Sequence, residues 1–85
     1  MYQVELRRSV QKSLEKIQTQ ERLKIISALL ELEQNPRPRG IEKIRGVELW
    51  RIREGDYRIV FSIDDNEKMI TIVRIGHRRD IYRGL

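Results

Sequence analysis

Residues 69–75, Met-Ile-Thr-Ile-Val-Arg-Ile, limit what this chain can become more than any other stretch. Apart from Thr71 and Arg74 the run is apolar, so neither face of a strand built from it suits water. Such a strand needs partners at its sides and cover on its faces. The residues before it supply the partners. Leu49 to Glu54 alternates, with Trp50 and Ile52 on one face and Arg51 and Arg53 on the other. Tyr57, Ile59, Phe61 and Ile63 share one face of the next strand, and Arg58, Val60 and Ser62 share the other. Glu54-Gly55-Asp56 reads as the hairpin turn between them, with glycine supplying the positive φ that such turns require. Asp64 to Lys68 is a second polar turn.

The first half supplies the cover. Tyr2, Val4 and Leu6 alternate with polar residues as in a half-buried strand. Val10, Leu14 and Ile17 then recur at helical spacing. Ser9 is a candidate N-cap, and a start one or two residues earlier fits equally well. Thr19 can cap a second helix, traced by Leu23, Ile26, Leu29, Leu30 and Glu33, with Ile25 and Leu32 widening its apolar face. Pro36, Pro38 and Gly40 end that helix and hold a connector. Ile41 to Gly46 is expected to be irregular backbone or a short turn. The expected fold is α+β, in the order β-α-α-β-β-β plus a C-terminal tail. A two-helix hairpin packs on one face of a four-stranded, mostly antiparallel sheet. The whole chain, residues 1–85, is expected to form one domain.

Composition narrows the partners. The formal net charge is +5. Twelve of the 18 Lys and Arg residues follow position 36, and ten of those twelve are Arg. Arginine presents a rigid fork that matches phosphate, so an anionic partner is expected, nucleic acid first. No apolar run approaches the roughly 18 residues of a membrane span. The first residues lack the plan of a secretory signal, and the chain has no cysteine. A cytoplasmic location without disulfides, metal or cofactor is expected. The nearest approach to a metal motif, Asp64-Asp65-Asn66-Glu67, lacks the glycine and distal glutamate of a calcium loop and reads as a turn.

The chemistry-bearing residues converge in the expected fold. With the helices on one face of the sheet, Arg51, Arg53 and Arg58 stand on the other. Gly76-His77-Arg78-Arg79-Asp80-Ile81-Tyr82-Arg83 leaves the last strand and can lie at the rim of that face. With one histidine, no His–His acid–base pair is available. Arginines and a phenol suffice for one reaction class: attack of an RNA 2′-hydroxyl on its neighbouring phosphate, where guanidinium groups stabilise the developing charge. Trp50 is expected in the core, because it alternates with Ile52.

Several blocks resemble one family. These are Val4-Glu5-Leu6, Leu30 to Pro36, Lys43-Ile44-Arg45-Gly46, Trp50-Arg51-Ile52-Arg53, Gly55 to Phe61 and Ile75 to Tyr82. Together they resemble RelE-type toxins of the RelE/ParE superfamily, from toxin–antitoxin pairs. The resemblance implies a microbial-ribonuclease-like sheet and a metal-independent endoribonuclease that cleaves mRNA in the A site of the 70S ribosome. By motif position it implies that Arg58 and Arg78 bind phosphate and assist the leaving group, and that Tyr82 orients or activates the 2′-hydroxyl. Arg51 and Arg53 fall where some relatives carry lysines. Their permanent charge suits charge stabilisation rather than proton transfer. Arg45, His77, Arg79 and Arg83 are expected to contact RNA. The resemblance also implies a cognate antitoxin protein that covers the basic face. The alternative is a ParE-like toxin that inhibits gyrase and does not cut RNA. Tyr82 favours the first, because the ParE branch generally lacks a tyrosine there.

Overall fold

A computed structural model describes residues 1–83. The strands are β1 (Gln3–Leu6), β2 (Glu42–Lys43), β3 (Trp50–Glu54), β4 (Tyr57–Asp64) and β5 (Met69–His77). The helices are α1 (Arg8–Glu15) and α2 (Thr19–Gln34). One sheet runs β1-β5-β4-β3-β2, with β1 parallel to β5 and every other pair antiparallel. This is the expected α+β class with one correction: the sheet has five strands, not four. The additional one is β2, in the segment expected to be irregular. Glu42 pairs with Arg51 and Lys43 with Trp50, and the Ile44 amide donates to the Leu49 carbonyl at 2.9 Å. Two residues are too few to show a period in sequence.

The run at 69–75 is interior, flanked by β1 and β4. Ile70 and Ile72 are fully buried, as are Ile59 and Phe61 beside them. They meet Val10 from α1, Ile17 from the bend between the helices, and Ile25, Ala28, Leu29 and Leu32 from α2. Trp50 and Tyr57 pack at the edge of this core. Helix α1 begins at Arg8 with Arg7 as N-cap, the earlier of the starts that the sequence allows. Helix α2 begins at Thr19, with Gln18 outside it. It stops at Asn35, whose φ of −145° is the extended backbone that a following proline demands.

The buried face of α2 differs from the expected stripe. Ile25, Ala28, Leu29 and Leu32 face the sheet, while Leu23 and Leu30 are 60% and 58% exposed. Apolar residues around most of the helix circumference hide which stripe faces inward.

Two features prepare the opposite face of the sheet. The β3–β4 turn is Gly55-Asp56, with Gly55 at φ +59°, as a two-residue hairpin requires. The second is a β-bulge. Phe61 pairs with Ile72, but Val60 pairs with Arg74, so Val73 is an extra residue on β5. Ile72 and Ile75 both join the core, and Arg74 and Gly76 are turned to the outer face between and after them. Val60 and Ile81 are buried but stand outside the main core, on that outer side.

Candidate functional site

The outer face of the sheet carries a row of cations. Arg51 and Arg53 on β3 lie opposite Val60 and Arg58 on β4, and Arg58 lies opposite Gly76 on β5. Arg53 and Arg58 are direct register partners. Like charges directly opposed across a ladder destabilise a sheet, and an anion lying between them would reverse that. Arg58 is partly held by its own turn, with Nη1 donating to the carbonyls of Gly55 at 3.0 Å and Tyr57 at 2.9 Å. Arg78 joins the same turn: its amide donates to the Asp56 carbonyl at 2.8 Å, and its Nε lies 3.8 Å from the Asp56 carboxylate.

Tyr82 reaches this face because the chain folds back after β5. The amides of Asp80 and Ile81 both donate to the His77 carbonyl, at 2.9 and 3.0 Å. The guanidinium carbon of Arg51 lies 5.2 Å from the Tyr82 ring centroid, a cation–π contact. Arg51, Arg53, Arg58, Arg78 and Tyr82 are thereby assembled on one face and its adjoining turn.

The four remaining candidates are distributed differently. Arg79 and Arg83 are exposed in the C-terminal turn, and Arg83 lies 3.7 Å from Asp80. Arg45 is exposed in the β2–β3 connection, at the end of β3 opposite the Gly55 turn. His77 faces the helices. It pairs with Tyr57 and meets that ring edge-on at 5.9 Å. It lines a cavity of about 270 Å³ with Gln18, Glu21, Lys24 and the Gly55 turn. Its Nδ1 accepts the Arg79 amide at 3.2 Å. The extra residue at the bulge explains this: simple alternation from Ile72 would have sent position 77 outward.

Two residues absent from the sequence-level candidates belong to the site. Glu42 accepts from Arg51 Nη2 at 3.4 Å and lies 4.0 Å from Arg53 Nε. This bond raises the already high pKa of Arg51, and Tyr82 acts in the same direction. Arg74 Nη1 donates to the carbonyls of Ile81, at 2.9 Å, and Arg83. A basic residue inside an apolar strand was the available signal for Arg74. Glu42 gave none, because its partner depends on β2 pairing with β3. Among the described residues, no three His, Asp or Glu side chains are grouped as metal ligands, and no helix is long and apolar enough to cross a membrane.

Comparison with known proteins follows the same lines. Residues 4–82 match the model of the ParE toxin of the type II toxin–antitoxin system parDE. Toxin RelG of Mycobacterium tuberculosis is 48% identical over 31 residues, which is 36% of this chain and 36% of RelG. The RelE–RelB complex of the archaeon Pyrococcus horikoshii OT3 contains a chain that superposes with a TM-score of 0.82 at 29% identity, over 91% of this chain and 94% of that one. The isolated RelE toxin of Escherichia coli superposes with a TM-score of 0.78 over 91% of this chain and 84% of that one; its 21% identity supports the fold alone. The chain therefore belongs to the ParE toxin family of type II toxin–antitoxin systems, and within the RelE/ParE superfamily it is of RelE type.

Proposed function

We propose that this toxin is a ribosome-dependent endoribonuclease that cuts mRNA in the A site. The attacking group is the 2′-hydroxyl next to the scissile phosphate. The 2′-oxygen gives up its proton and bonds to phosphorus, the bond from phosphorus to the 5′-oxygen breaks, and that oxygen takes up a proton, so the products are a 2′,3′-cyclic phosphate and a 5′-hydroxyl. The carrying observation is the Arg51–Tyr82 contact on the same sheet face as the opposed pair Arg53 and Arg58. The arginines offset charge that builds on the phosphate oxygens. Arg78, beside the Asp56 turn, serves the leaving oxygen, and Tyr82 orients the hydroxyl. Arg45, Arg79 and Arg83 contact the flanking RNA and ribosome. His77, on the helix side, orients substrate only through its turn.

The archaeal relative is a RelE toxin in complex with RelB. By likeness, this chain pairs in the cytoplasm with an antitoxin whose acidic or amphipathic segment covers the basic face. The parDE family model keeps a second reading in view: gyrase inhibition without RNA cleavage. Primer extension on ribosome-loaded messages after induction separates the two. Cuts within A-site codons, sharply reduced by Arg58→Ala and Tyr82→Phe, support the nuclease. Intact messages with gyrase-linked DNA breaks support the other. Toxicity unaffected by both substitutions refutes the site.

A further inference from the structure

We propose that Arg74 is a positioning residue, fastening the backbone on both sides of Tyr82 so that the phenol stays against Arg51. Its guanidinium Nη1 has two N–H bonds, and they go to the carbonyls of Ile81 and Arg83. These are the residues immediately before and after Tyr82. Charge-assisted bonds of this kind are stronger than neutral ones. A lysine offers a mobile point charge in place of the planar fork.

The bulge makes the arrangement possible. Without Val73 as an extra residue, the side that Ile72 faces would be the side Arg74 faces, inside the helix–sheet core. With it, Arg74 stands opposite Val60 on the outer face, beneath the turn it holds. A second anchor lies beside it. Ile81 is 2% exposed, and its Cδ1 is so close to Gly76 that a Cβ there would lie 3.3 Å away. The apolar anchor fixes the depth of the turn, and the two carbonyl bonds fix its rotation, which aims the ring of Tyr82. Arg74 is half-buried with Nη1 committed to the carbonyls on both sides of Tyr82, whereas Arg45, Arg79 and Arg83, the arginines assigned to flanking RNA, are exposed.

This inference rests on the nuclease reading, so its test has one arm that depends on cleavage and one that does not. The variants are Arg74→Gln and Arg74→Lys, each alone and combined with Tyr82→Phe. In ribosome-bound cleavage, Arg74→Gln is expected to lower kcat by roughly 10–100-fold, the scale of a misplaced catalytic group, with KM nearly unchanged. In the Tyr82→Phe background the same substitution should change kcat little, because the group it positions is already gone. Equal losses in both backgrounds, or a rise in KM at constant kcat, would overturn the proposal. The second arm is amide hydrogen exchange. Arg74→Gln should accelerate exchange at Ile81 and Arg83 while Ile59 and Ile72 stay protected, and Arg74→Lys should restore little of the loss. Unchanged protection at Ile81 and Arg83 would overturn the proposal whether or not RNA is cut. Lost protection in a protein that cuts no RNA would support the positioning role and refute the nuclease reading instead.

Discussion

The C-terminal turn can be released by a single truncation, Ile81→Ala, and the size of the effect follows from where Ile81 sits. Its side chain is 2% exposed, yet it lies outside the core between helices and sheet. An Ile-to-Ala change in a core costs about 2–5 kcal/mol. The lower end, about 2 kcal/mol, applies here because the turn packs on one side only and can settle into the space left. The turn can also let go of the sheet. Loss of global stability is therefore capped at whatever docking the turn contributes, and the remainder appears as local opening. About 2 kcal/mol corresponds to roughly a 30-fold shift in the docking equilibrium. Amides of Ile81 and Arg83, which donate within the turn, should exchange faster by that factor. Amides of β4 and β5 paired with one another should change far less, and Tyr82 should leave Arg51. Hydrogen exchange followed by NMR, with a denaturant melt alongside, measures both. Equal acceleration of turn and core amides would show the turn to be part of one cooperative unit and refute the reasoning. No acceleration anywhere would show that burying Ile81 contributes nothing.

Two further outcomes are expected. Asp65 accepts from both guanidinium nitrogens of Arg37, at 3.1 and 3.0 Å, and from the Tyr2 hydroxyl at 2.6 Å; Arg37, then Tyr2, lowers its pKa to about 2. Because the folded value is depressed, the stabilisation is complete above the ordinary carboxylate range and is lost as pH falls toward 2; Asp65→Asn should lower Tm at neutral pH, the gap closing between about pH 4 and 2, and a gap that widens on acidification would contradict this. Glu42→Gln removes a carboxylate from beside Arg51 and Arg53; an exposed pair of this kind is worth up to about 1 kcal/mol, so a single-stranded RNA oligonucleotide should bind about two- to fivefold more tightly in fluorescence anisotropy at low salt, and weaker binding would show that Glu42 does not compete with phosphate.

Periodicity made the layers of this fold legible, and chain geometry hid the details that aim the site. The run at 69–75 could be recognised as an interior strand because it has almost no face for water. The faces of β3 and β4 followed from strict alternation, which put Arg51, Arg53 and Arg58 together and away from the helices. The bulge at Val73 could not be seen, because one extra residue in an apolar stretch leaves the composition unchanged while reversing every side chain beyond it. That is why His77 lies with Tyr57 on the helix side and Arg74 lies on the outer face. The pairing of Glu42 with Arg51 was hidden for a different reason: it depends on contact between segments, and two residues carry no period. On α2, with apolar residues around most of the helix, packing rather than pattern chose Ile25, Ala28, Leu29 and Leu32 for the core.

The electrostatics of the outer face are better explained by use than by stability. A sheet gains nothing by setting Arg53 directly against Arg58. The available compensation is modest: one carboxylate shared by Arg51 and Arg53, turn carbonyls for Arg58 and a distant Asp56 carboxylate for Arg78. The carboxylate contacts of Arg51, Arg53 and Arg78 are long, at 3.4–4.0 Å, so a phosphate can replace them at little cost, while Arg58 keeps its Nη1 on its own turn. Those three arginines are thus held near the positions in which an anion would need them, by partners weak enough to yield. Arg74, on the same face, differs in what its bonds fasten: its Nη1 donates to the carbonyls on both sides of Tyr82, seven and nine residues away in the chain, whereas Arg58 bonds only within its own turn. Cations with exchangeable partners therefore face outward to the ligand, and the cation fastened on both sides of Tyr82 supports the tyrosine that lies beside them.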